Sequence, residues 1–212
     1  MTEARTDSNA NRRFDRFVWI DCEMTGLDLA RDSLVEIACI VTHADLNELD
    51  EGIDIVIRTS DELLDGMVEV VRTMHTTSGL LEEIPRGVEL QEAADRVLAY
   101  VRSHVPDARK APLAGSSVYV DRGFIARDLP DLDAHLHYRL IDVSTIKELA
   151  RRWYPRAYFA SPEKNGGHRA LADIRESIAE LRYYRAAVMV APPGPEADAL
   201  AAIAAEHVVT HS

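Results

Sequence analysis

Asp21 and Glu23 stand two residues apart, directly after the apolar run Phe17-Val18-Trp19-Ile20. In an extended chain, side chains two apart leave the same face, about 7 Å apart along the strand. Two carboxylates that project together beside a core repel each other and lose hydration unless a cation joins them. A divalent metal answers that demand. A strand that stops at Ile20 and leaves both acids in solvent answers it equally well, so this pair alone decides nothing. Asp121 and Asp173 bear on the choice. Asp121 follows Gly115-Ser116-Ser117-Val118-Tyr119-Val120, and an aspartate ahead of a helix ordinarily caps it. Asp173 ends the stretch His168-Arg169-Ala170-Leu171-Ala172-Asp173, where an exposed helical position is the plain reading. His168, five residues earlier, would lie about 140° away on one ideal helix, which puts it in the loop entering that helix. Gly166 and Gly167 just before it would let such a loop move or approach a ligand closely.

Secondary structure must bring these residues together. Phe17 to Cys22, Leu34 to Thr42 and Ile53 to Arg58 read as three β-strands, with Asn47 and Gly52 marking turns. Short links between them predict an antiparallel meander. Leu90, Ala94, Val97, Leu98, Val101 and Val105 recur at helical spacing until Pro106, which predicts a helix packed on the sheet. Pro112 to Gly115 and Tyr138 to Val143 are further short strands. Thr145 to Trp153 is a helix whose Thr145 and Glu148 fit a capping box. Leu171 to Met189 is a long final helix, ended by the proline-rich stretch Ala191 to Pro195. The pattern implies one α/β domain over residues 14–190 with a mixed sheet, a disordered lead-in over 1–13 and a loosely attached tail over 191–212.

Bulk properties narrow the chemistry. A length of 212 residues with 47% hydrophobic and 28% charged residues is the composition of one globular domain. No apolar run is long enough to span a bilayer, and no secretory pattern opens the chain. Cys22 and Cys39 lie inside apolar runs, which suits free core thiols in a reducing cytoplasm rather than a disulfide. The formal net charge of −12 offers no basic face for long nucleic acid. A phosphate substrate must then be small, held by a few local donors, or approached through bound cations. A calcium-binding structural role would need oxygen ligands clustered in one loop, whereas these acids are spread along the chain.

The ordered set Asp21, Glu23, Asp121, His168 and Asp173 resembles the histidine-containing branch of the DEDD exonucleases, named for four acidic metal ligands. Trp19 to Leu27, Met74 to Leu80, Leu140 to Thr145 and Ala172 to Ser177 are similar to the oligoribonucleases within that branch. The likeness covers about Arg16 to Arg185. It implies a ribonuclease-H-like fold, a mixed β-sheet flanked by α-helices, and 3′-to-5′ hydrolysis of very short RNA, dinucleotides above all, to nucleoside 5′-monophosphates. It further implies two Mg²⁺ or Mn²⁺ ions held by Asp21, Glu23, Asp121 and Asp173, with His168 accepting a proton from the attacking water. A DNA-proofreading exonuclease of the same branch would share those residues. It would lack the set Ser117, Arg139, Ser144 and His75, which by resemblance closes around the substrate's 5′-phosphate. By the same resemblance Leu27 wedges between the two bases, and the enzyme is a cytoplasmic homodimer in which Tyr138 of a second subunit packs nearby. Val70 departs from the pattern, since many relatives carry an aromatic residue there.

Overall fold

The computed structural model describes residues 15–163 and 167–209. The expected lead-in over 1–13, the start of the domain at Phe14, and Gly166 lie outside them. The chain runs through β1 (Arg16–Met24), β2 (Leu34–His43) and β3 (Ile53–Val56) into three short helices, α1 (Asp61–Asp65), α2 (Glu69–Thr77) and α3 (Leu80–Glu83). It continues through α4 (Leu90–His104), β4 (Pro112–Gly115), α5 (Tyr119–Asp128), α6 (Pro130–His135) and β5 (His137–Asp142). Four helices complete the described residues: α7 (Val143–Trp153), α8 (Pro155–Phe159), α9 (Ala170–Val188) and α10 (Ala197–Glu206).

The strands form one mixed sheet in the order β3-β2-β1-β4-β5. The expected meander is present, β1 to β2 to β3 antiparallel, and β4 and β5 then join in parallel on the other side of β1. β1 and β2 are interior strands, and β2 is buried from Leu34 to Thr42, as its largely apolar run, broken by Glu36, requires. The strand alternation sorts β1 between two cores. Val18, Ile20, Cys22 and Met24 pack with residues of α4, α5 and α6. Trp19 faces the opposite way, into the cluster built on Ala170, Ile174 and Ile178 of α9. Both cysteines are buried and free.

Two local expectations are overturned. α7 begins at Val143, two residues before Thr145, and its cap is Asp142, whose carboxylate accepts the Ser144 N–H at 2.9 Å. The Thr145–Glu148 pair is therefore inside the helix rather than a capping box. Asp121 is not a cap either: α5 starts at Tyr119, so Asp121 is buried within its first turn. The tail contains a helix, α10, that buries none of its residues.

Candidate active site

β1 continues through Met24, so Asp21 and Glu23 are strand residues and do not spill into solvent. Period two then puts both on the Trp19 face of the sheet, toward α9, which carries Asp173 in its first turn. Asp121 arrives from the neighbouring side: β4 runs parallel to β1 and hands the chain to α5. Gly115 makes that turn possible, because a Cβ there would stand 3.0 Å from the Ile20 carbonyl oxygen. Asp121 Oδ1 is locked to β1 by accepting the Cys22 N–H at 2.9 Å. His168 lies in the loop before α9, in a left-handed conformation with φ of 48°. Ligand atoms of Glu23, His168 and Asp173 fall within 4.8 Å of one another. Asp21 feels the charges of Glu23, Asp121 and Asp173, so all four carboxylates share the region of this cluster.

The electrostatics of that place are unfavourable to bare anions. Burial pushes Asp21 well above the usual carboxylate range, reinforced by the charges of Asp121, Asp173, Glu23 and Glu36. Glu23 is pushed up to about 8 by burial and then by Glu36, Asp173 and Asp121, against which Arg169 acts weakly. Burial likewise raises Asp121 to about 7, although the Cys22 N–H favours its ionised form. Clustered, partly desolvated oxygen donors whose mutual repulsion outweighs the nearby Arg169 are the donor set of a hard divalent cation, and the residues present fit one.

His75 belongs to the same region. Fully buried on α2, it donates from Nε2 to the Met24 carbonyl oxygen at 2.8 Å. Its Nδ1 lies 3.8 Å from Glu23 Oε2 and has no hydrogen-bond partner. Burial lowers its pKa, and nearby His168 acts in the same direction.

A second cluster forms where β4 and β5 end side by side. Ser117 Oγ and Ser144 Oγ are 3.1 Å apart, and Asp142 Oδ1 accepts both backbone N–H groups, at 3.0 Å from Ser117 and 2.9 Å from Ser144. Asp142 carries only a weak sequence signal, the short polar step after a strand, where one carboxylate can tie two turns together. Arg139, on the same strand as Asp142, holds its guanidinium 5.5 Å from the ring centroid of Tyr138. Within one chain the four residues expected at a phosphate therefore divide: the two serines meet, whereas His75 sits under the carboxylates. Among the described residues no hydrogen bond joins His75 or Arg139 to the serines. Leu27 and Tyr138 are 72% and 74% exposed, which removes the alternative that either is a core residue. Val70 is exposed on α2.

Comparison with known proteins follows the same lines. The exonuclease family model RNase_T matches residues 18–181. The oligoribonuclease of Streptomyces coelicolor is 65% identical over 196 residues, covering 92% of this chain and 98% of that protein. That of Mycobacterium sp. (strain KMS) is 62% identical, covering 91% and 90%. Among solved structures, one of exonuclease I superposes with a TM-score of 0.63 at 16% identity, covering 81% of this chain and 41% of that one. A zinc-bound complex of E. coli exonuclease I with single-stranded DNA gives 0.62 at 16% identity, with 82% and 41% covered. The chain spans about two-fifths of those structures, and the likeness establishes a shared ribonuclease-H-like fold.

Proposed function

The chain belongs to the RNase_T exonuclease family and within it to the oligoribonucleases, and from that premise we propose how its residues divide the work of a 3′-to-5′ exoribonuclease acting on very short RNA. The observation that carries the proposal is the convergence of three separate segments beside the sheet: β1 with Asp21 and Glu23, α5 with Asp121, and the start of α9 with His168 and Asp173. The carboxylates would hold two divalent cations, Mg²⁺ or Mn²⁺. When bound, such ions supply positive charge to the scissile phosphate and to the attacking and leaving oxygens. His168 accepts the proton of the attacking water, a role suited to an imidazole near neutral pH. The loop position beside Glu23 and Asp173 supports that role.

Ser117, Ser144 and Arg139 bind the 5′-phosphate of a dinucleotide. Two hydroxyls 3.1 Å apart, oriented through Asp142, and a planar cation suit an anion read at one end. Leu27 supplies an exposed apolar edge to the bases. A protein of net charge −12 gains little from a long phosphate backbone, so affinity concentrates at this end. Exposed Tyr138 is available to a second copy, and a cytoplasmic homodimer is the assembly in which it acts. No helix of the described residues is long and apolar enough to cross a membrane.

A product time course on 5′-phosphorylated RNAs of two to seven nucleotides, with and without divalent metal, tests this reading. Metal-dependent release of nucleoside 5′-monophosphates from the 3′ end, fastest for the shortest substrate, is expected. Internal cleavage, or turnover that survives chelation, would overturn it.

A further inference from the structure

Glu36 faces Glu23 across the β1–β2 ladder and is fully buried, yet it is outside the proposed ligand set because both its oxygens are committed. Oε2 accepts the N–H of Ala170 at 3.0 Å, and Oε1 accepts from Arg169 Nε at 2.8 Å. Ala170 is the first residue of α9, whose own N-cap side chain makes no capping bond. Glu36 therefore caps α9 from across the sheet, where a helix leaves its first N–H groups unpaired and favours negative charge. The other edge of the Arg169 guanidinium grips Glu83 on α3, with Nη1 and Nη2 each 3.0 Å from a carboxylate oxygen. A planar fork held along two edges has little freedom to turn.

Three elements around the site meet at this one side chain: strand β2, the α2–α3 arm that carries His75, and the loop that carries His168. The residue joined to Arg169 on its N-terminal side is His168 itself, in a left-handed conformation that a non-glycine residue keeps only where its surroundings impose it.

We propose that Arg169, clamped between Glu36 and Glu83, is a positioning residue that fixes where the His168 imidazole stands relative to the carboxylates. The proposal rests on the reading of His168 as proton acceptor. The competing role for the same contacts is general support of the fold, in which case their loss would act whether or not His168 is present.

A double-mutant cycle separates the two. Steady-state kinetics on a 5′-phosphorylated dinucleotide at saturating metal would compare wild type, Arg169→Gln, His168→Ala and the double variant of the full chain. Arg169→Gln is expected to lower kcat about 10- to 100-fold, the scale of an ångström-level misplacement of a reacting group, with KM within about twofold. In the His168→Ala background the same change should lower kcat by no more than about twofold. Glu83→Gln, which loosens only the outer edge of the fork at a half-exposed carboxylate, should show a smaller loss that also vanishes without His168. It carries the test if Arg169→Gln does not fold. Equal losses in both backgrounds, or no loss in the first, overturn the positioning role while leaving the base assignment intact. Undiminished kcat in His168→Ala removes both.

Discussion

Replacing Asp121 by asparagine separates what the carboxylates do for the fold from what they do for a metal. The substitution keeps an oxygen that can accept the Cys22 N–H, held at 2.9 Å in the wild type, and removes one negative charge from a buried cluster. The folded-state pKa of Asp121, about 7, lies above its ordinary 3.8. A group raised in this way destabilises the folded protein progressively as pH rises from its unfolded value, with the full cost present above the folded value. At about 1.4 kcal/mol per tenfold in proton affinity, that cost reaches at most about 4 kcal/mol above pH 7. Asp121→Asn recovers part of it, since the substituted amide is itself buried; a gain of about 1–3 kcal/mol is expected in metal-free protein at pH 8. For a chain of this length that corresponds to a rise in Tm of roughly 3–10 °C. By about pH 4, close to the unfolded value, most of the gain has gone, and it vanishes as the carboxyl becomes protonated in both states at lower pH. Saturating Mg²⁺ or Mn²⁺ should reverse the order, because a ligand that binds only the native state stabilises the wild type by mass action and the variant far less. The assay is thermal or urea unfolding of both proteins in chelator and in metal, at pH 4 and pH 8. Equal or lower stability of the metal-free variant at pH 8 would refute the argument that these carboxylates are held together against their repulsion.

Other outcomes follow from the same geometry. With Glu23 and Asp121 raised to about 8 and about 7, metal must displace protons, so apparent affinity should increase with pH between about 6 and 8; calorimetric titration in buffers of different ionisation enthalpy should show proton release, and a pH-independent affinity would count against it. Arg139→Ala should cost about 10- to 100-fold in kcat/KM on a 5′-phosphorylated dinucleotide, the worth of one charged hydrogen bond, and little on the unphosphorylated one. Equal losses on both would assign Arg139 to the fold or the assembly. Light scattering should return twice the 23.6 kDa chain mass, and a fully active monomer would exclude a borrowed Tyr138.

The readable parts of this sequence were those whose local pattern matched their tertiary fate. The apolar runs of β1 and β2 and the helical spacing of α4 are visible because each buries a continuous face. The 61–86 segment carries little legible helical period: α1, α2 and α3 are short, and few of their residues are buried. α5 escaped for a different reason. It buries Asp121 as well as Phe124 and Ile125, so its inner face is not uniformly apolar. The start of α7 is masked because Thr145 and Glu148 satisfy a local capping pattern, while Asp142, which ends β5, supplies the actual cap. The ion pair of Arg169 with Glu36 spans 133 residues. Nothing local marks Glu36 as different from a surface glutamate, except that it stands among the apolar residues of a buried strand.

Asp21→Ala decides whether the carboxylates of β1, α5 and α9 act as one metal-dependent hydrolytic site. Purified wild-type and variant proteins, both shown to be folded, would be incubated with Mg²⁺ or Mn²⁺ and a 5′-phosphorylated RNA dinucleotide, and the nucleoside 5′-monophosphates counted over time. The wild type should convert the dinucleotide completely and Asp21→Ala should release none above background; near-wild-type turnover by the variant, with contaminating nuclease excluded, would contradict the site.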